Sequence, residues 1–310
     1  MKKELNAAVK SSSSKIGEVF LFQAMANEFN HNPISKCTYV KEIHGAKGKV
    51  EFSSAYSTRG SERVELGDLL ILTFDRWKKE LRLCVLQAKY KSGRYYRFLG
   101  LNANLFQWEL LYKKLPIINR GSFNFPSNIL NFRTDYESIT AYGIFYHDNI
   151  SNEIDFLYTL PKFFRPLSLP RYRRSNGTKW FKFRCPYGLG SPNRGCIKGI
   201  TPEEAISTCS IDTFEDQVLL CNVGAPIPRG SAIERWILAL LNSMRIYADH
   251  PEVIDELFSA YNNNVPRDYT YSIEGAPSAL VIITDSSKYR KIYKNRMEDD
   301  LMRWKDIFGN

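Results

Sequence analysis

Four histidines and six cysteines are present in the 310 residues, and neither set is grouped as a metal site requires. His31, His44, His147 and His250 show no ligand spacing, and Cys37, Cys84, Cys185, Cys196, Cys209 and Cys221 contain no C-x-x-C pair. Structural zinc usually shows at least one close pair, so free thiols are expected. The even spacing of Cys185, Cys196, Cys209 and Cys221 permits zinc without arguing for it. No apolar run is long enough to span a membrane. The opening MKKELN lacks the apolar stretch of a secretory signal, so a cytoplasmic protein with no membrane partner is expected. "AKGK" lacks the spacing of a phosphate-binding loop, and "SITAYG" is not a nucleophile elbow. With no ATPase or helicase motif visible, any motor or sensor must be a separate subunit. Internal repeats are absent.

One further absence is local. Between Asp155 and Glu203 there is no acidic residue, whereas Lys162, Arg165, Arg171, Arg173, Arg174, Lys179, Lys182, Arg184, Arg194 and Lys198 all fall there. These ten match the whole formal charge of +10. Aromatic residues are interleaved with them: Phe163, Phe164, Tyr172, Trp180, Phe181, Phe183 and Tyr187. Cations that meet phosphates and rings that stack on bases point to a nucleic acid. The bland alternative is a solvated basic loop over a local core. Arg171, Arg173, Arg174, Lys179, Lys182 and Arg184 are the candidate contacts.

Hydrophobic residues are 44% of the chain and aromatics 14%, enough for a substantial core. Val19, Phe22, Met25 and Phe29 recur at helical spacing, which predicts a helix from about Ser14 to Asn30 with serine as its cap. "DLLILTF" and "LRLCVLQAK" are strands apolar on both faces, as central strands are. "NLFQWELLYKKL" predicts an amphipathic helix ended by Pro116. "SITAYGIFYH" and "SALVIITD" read as strands, "TPEEAIS" as a short helix capped by Thr201, and the segments from Ser231 and from Ser286 as helices. Strands alternating with helices predict an α/β fold: a central mixed sheet flanked by helices, with a mixed α+β C-terminal region. The expected division is 1–160 as the core, 161–199 as a basic, aromatic-rich linker, and 200–310 as a mainly helical region.

The central strands raise a chemical question. "LCVLQAKYK" places Gln87 and Lys89 on one face of a strand that otherwise looks buried. If "DRWKKE" is a tight connection, Asp68 lies across from that end. An even-length connection puts Asp68 on the same face, and an odd one turns it away. An acid, an amide oxygen and an ammonium would then converge. Mg²⁺ takes oxygen ligands, often one or two protein groups plus water and phosphate. Asp68 and Gln87 supply such oxygens, the Ala88 carbonyl is a further one, and Lys89 can orient a water or stabilise phosphate charge. Glu65 is read as a rim or solvated residue.

"GDLLIL…LQAKYK" resembles the core of the PD-(D/E)xK, or restriction endonuclease-like, nuclease superfamily. The resemblance covers roughly residues 14–147. It implies Asp68 as the metal-binding aspartate, Gln87 as second ligand, Lys89 as catalytic lysine, and Glu18 on the first helix as an assisting ligand. Gln87 departs from the commoner glutamate and leaves the metal less negative charge. The implied protein is a Mg²⁺-dependent DNA endonuclease, with Mn²⁺ as a substitute cofactor, similar to bacterial anti-phage defence or restriction effectors. Homo-oligomerisation is compatible with it. A non-catalytic nucleic-acid-binding protein on the same fold and an RNA-directed nuclease are the alternatives.

Overall fold

A computed structural model describes residues 1–12, 16–41, 49–94, 99–119, 125–148, 153–166, 178–183, 204–208, 210–261 and 277–308. Two helices come first, α1 (Lys2–Ser11) and α2 (Glu18–His31). The expected single helix from Ser14 therefore starts at Glu18, with Gly17 at its N-cap and no side-chain cap. The sequence reading missed α1, because it lacks a broad apolar stripe and buries only Leu5 and Asn6. Leu5 packs on the core with Ala8 and Val9 against it, and polar contacts add to the docking: Lys2 Nζ lies 2.8 Å from Asp155 Oδ2, and Asn6 donates to the Ile154 carbonyl.

Strands β1 (Lys36–Val40), β2 (Lys49–Ser53) and β3 (Ser61–Glu65) precede the hairpin of β4 (Leu69–Asp75) and β5 (Glu80–Arg94). β6 (Leu99–Asn104) runs into α3 (Leu105–Lys113). Asn104 caps that helix by accepting from the Phe106 and Gln107 N–H groups, and Lys114, in the left-handed region, ends it ahead of Pro116. β7 (Ile117–Asn119), β8 (Thr140–His147) and β9 (Ile154–Thr159) follow. The 161–199 segment is not wholly loop: β10 (Phe164–Pro166) and β11 (Thr178–Phe183) pair with each other, and β11 pairs with β6. Ser207, the last residue of the expected short helix, instead opens β12 (Ser207–Thr208) against β9, where pairing with Thr159 and Tyr158 outweighs local helix preference; Thr201 lies outside the described residues. The chain ends with α4 (Ile211–Leu219), β13 (Ala225–Pro226), α5 (Ala232–Met244), α6 (Pro251–Ala260), β14 (Ser278–Thr284) and α7 (Ser286–Phe308).

The fold is α/β. Its central mixed sheet has the order β1-β14-β4-β5-β8-β9-β12, with β13 also against β5. β14 runs parallel to β4 and β8 parallel to β5, while the other neighbours are antiparallel. All seven residues of β4 and of β14 are buried, as expected of strands covered on both faces. On one face Leu70, Leu72, Leu83 and Val85 pack with Trp108 of α3, Ile237 of α5 and Ile254 of α6. On the other, Leu69, Ile71, Cys84 and Leu86 pack with Phe22 of α2, Phe214 of α4 and Tyr289 of α7. Strand β14, from the 200–310 segment, lies between β1 and β4, so the sheet and both cores draw on the 1–160 and 200–310 segments alike.

Candidate metal centre

The β4–β5 register decides which side chains meet. Leu69 pairs with Leu86 and Asp75 with Glu80, so Arg76, Trp77, Lys78 and Lys79 form the connection. That length is even, and Asp68 falls opposite Gln87. Its N–H donates to the Leu86 carbonyl at 3.0 Å. Gly67 makes this approach feasible: a Cβ there would lie 2.8 Å from Val85 Cγ1 and 3.1 Å from the Leu86 oxygen.

Beyond Asp68, β5 continues while β4 has no residue left to pair with it, and two carboxylates take over the ladder. Asp68 Oδ2 accepts from the Ala88 N–H at 2.9 Å, and Glu18 Oε1 accepts from the Tyr90 N–H at 2.8 Å. N–H groups two residues apart on a strand are about 7 Å apart, so the two acids are held in a row along its edge. Glu18 arrives from the first turn of α2, which packs on the opposite sheet face. Lys89 Nζ lies 3.9 Å from Asp68 Oδ2, with the side chains 30% and 29% exposed respectively. Asp68, Gln87, Lys89 and Glu18, named from sequence, are thus brought to one end of the hairpin.

Gln87 is 2% exposed. Its Nε2 donates to Asp68 Oδ2, in a short contact, and to the Ala88 carbonyl at 3.3 Å. The amide N–H group stands where a cation bridging those two oxygens would stand. Its Oε1 is buried and without a hydrogen-bond partner among the described residues. Rotating the amide by half a turn would bring Oε1 towards Asp68 and Ala88, an oxygen set that a hard cation or a proton on Asp68 would satisfy. One carboxylate plus neutral oxygens is a donor set of hard-cation type, and the residues fit Mg²⁺ or Mn²⁺. Among the described residues no group of three His, Cys, Asp or Glu side chains is placed to hold a metal ion.

Burial pushes the Asp68 carboxyl up to about 6 from its ordinary 3.8; Lys89 opposes the shift, and Glu18 and Glu65 add to it. Glu65, read as a rim or solvated residue, therefore acts on the site's charge. Because the folded state holds the Asp68 proton more tightly than the unfolded chain, metal-free stability falls as pH rises from about 4 through 6. Asp68→Asn removes that loss. The metal-free variant is expected to be more stable than wild type at pH 8 by on the order of 2–3 kcal/mol, and equal to it below pH 4. Urea midpoints measured in EDTA across this range check it, and a pH-independent difference would refute the assignment.

Tyr142 was not found from sequence. On β8 it pairs with Gln87, its hydroxyl is buried without a partner among the described residues, and burial, with Asp68 nearby, pushes its pKa far up. Only the register of a strand some fifty residues away reveals it. Of the candidate nucleic-acid contacts, Arg171, Arg173, Arg174 and Arg184 lie outside the described residues. Lys179 and Lys182 lie on β11, in register with Ala103 and Gly100. Two of the interleaved aromatics are core residues rather than free stacking rings: Phe181 packs on Trp108 and Phe164 on Tyr142. Cys37, Cys84 and Cys221 are buried free thiols, and burial pushes Cys84 and Cys221 up to about 12. Cys185, Cys196 and Cys209 lie outside the described residues. No helix among the described residues is long and apolar enough to cross a membrane.

Compared with protein-family models, curated proteins and solved structures, the chain matches none.

Proposed function

We propose that the protein is a metal-dependent nuclease that hydrolyses phosphodiester bonds in DNA, on a restriction endonuclease-like core. The observation that carries this reading is the Gln87 amide bridging Asp68 and the Ala88 carbonyl beside Lys89. The chain order supports it: a helix bearing Glu18, the hairpin bearing Asp68 and Gln87-Ala88-Lys89, then α3 and a parallel strand. Asp68, the Ala88 carbonyl and the Gln87 amide oxygen would hold Mg²⁺, with Glu18 at the edge of the site. The metal, when bound, acidifies a water and neutralises phosphate charge. Lys89 would donate to a phosphate oxygen or orient the attacking water, where negative charge develops. The water oxygen would bond to phosphorus as its proton passes to solvent, the ester P–O bond would break, and the leaving oxygen would take up a proton from solvent. Membership of a bacterial defence or restriction system, with a separate ATPase or sensor subunit, rests on the resemblance.

One observation favours a non-catalytic nucleic-acid-binding protein: Gln87 satisfies Asp68 with no metal and adds no charge. Incubation of plasmid DNA, linear DNA and RNA with the protein in Mg²⁺, Mn²⁺ or EDTA separates the readings. Metal-dependent nicking or linearisation of DNA is expected. DNA that is bound yet uncut in either metal would overturn the nuclease reading, and cleavage confined to RNA would reassign the substrate.

A further inference from the structure

We infer that the hairpin tip at the far end of β4–β5 and the first half of α7 form a second surface, one that binds the phosphate backbone of a nucleic acid. It goes beyond the nuclease reading and stands whether or not the Asp68 site cuts. Trp77, at the tip, is 58% exposed. The Arg290 guanidinium lies over its ring, 6.0 Å from the centroid. Lys78 and Lys79 beside it are exposed. Arg229 donates to the Lys79 carbonyl at 2.8 Å, which fastens a further cation to the tip. In α7, Lys288, Arg290, Lys291, Lys294 and Arg296 fall between Ser286 and Met297 with no acid among them.

Some of these cations are used internally. Arg76 pairs with Glu256, Lys288 with Asp285, Lys294 with Glu298 and Arg296 with Asp216. Lys78, Lys79, Arg229, Arg290 and Lys291 have no carboxylate partner among the described residues. Neighbouring cations without counter-charges repel one another, and a polyanion relieves that repulsion while releasing its own counterions. Lysines at a hairpin end also occur simply to discourage edge pairing. That explanation leaves the exposed indole under a guanidinium unaccounted for, whereas base stacking uses both groups. From Asp68 to Asp75 along β4 is about 24 Å, so a nucleic acid touching both ends spans roughly seven nucleotide steps.

The test is fluorescence anisotropy in EDTA, with labelled single-stranded and duplex DNA long enough to span both ends. The proteins are wild type, the charge reversal Lys78→Glu/Lys79→Glu/Arg290→Glu/Lys291→Glu, and Trp77→Ala. Charge reversal is expected to weaken both ligands by about 10²-fold and to lower the salt slope by roughly 2–4. Trp77→Ala is expected to weaken the single strand by roughly 5- to 100-fold and the duplex less. Unchanged affinity and slope in a charge-reversed protein with wild-type circular dichroism would overturn the inference. So would an effect confined to phosphatidylserine vesicles, which would assign the surface to a membrane. In Mg²⁺, cleavage of a duplex too short to reach the tip is expected to be unchanged by these substitutions. Failure of the Asp68 reading shows there as no cleavage by any form, and so is distinguishable.

Discussion

On the proposed nuclease reading, Asp68→Ala and Lys89→Ala are each expected to lower Mg²⁺-dependent cleavage of plasmid DNA by roughly 10²–10³-fold, by different routes. Asp68 is the one carboxylate accepting from both the Ala88 N–H and the Gln87 amide. Its removal takes away the charged oxygen bridged by that amide, so Mg²⁺ affinity is expected to fall and the rate loss to be partly recovered at high metal. Lys89 is not a metal ligand in this reading, and its Nζ sits 3.9 Å from Asp68 Oδ2, where it would compete with a bound cation. Lys89→Ala should therefore leave Mg²⁺ affinity equal or tighter while the rate at saturating metal falls. Calorimetric Mg²⁺ titration beside single-turnover cleavage separates the two routes. A Lys89→Ala protein that cuts at the wild-type rate would remove the lysine from the chemistry. Weakened metal binding in that variant would mean that its effect is structural.

What sequence could show here follows from where the information is local. The central strands and the helices that begin near Asn104, Ser231 and Ser286 are specified by neighbouring residues, and they appear where expected. The Asp68–Gln87 pairing was narrower: sequence left the parity of the turn open, and the Asp75–Glu80 closure decided it. Tyr142 and the position of β14 between β1 and β4 depend on long-range pairing, which no local pattern encodes. Helix α1 was missed because its apolar face is narrow: Leu5, with Ala8 and Val9, packs on the core, and the Lys2–Asp155 ion pair adds to that docking. The basic stretch misled in part. Its composition pointed to stacking aromatics, but composition cannot separate a ring that meets a base from one, like Phe181, that closes a core over Trp108.

The glutamine itself yields the sharpest expectation. Gln87→Glu should tighten Mg²⁺ binding by on the order of 10²-fold, because a new charge at about 4 Å is worth up to about 4 kcal/mol per unit charge near a protein surface. Part of that gain is cancelled in the metal-free state. There the amide donor to Asp68 is lost, and two carboxylates face each other in a site where Asp68 already titrates near 6. One proton is then shared between them, and the pair titrates higher than Asp68 does alone. The metal-free variant is thus expected to melt below wild type at pH 8 and to converge on it at pH 5, where the pair retains a proton. Added Mg²⁺ should reverse the order at pH 8, since the ion that wild type holds weakly is held strongly by two charges. Calorimetry and thermal melts with and without Mg²⁺ at the two pH values check both halves. If Mg²⁺ affinity is unchanged while the metal-free protein is destabilised, Gln87 is a structural partner of Asp68, and the cation belongs elsewhere or nowhere. If affinity rises as expected, the neutral amide is what keeps this site weak, and metal concentration becomes a lever on its activity.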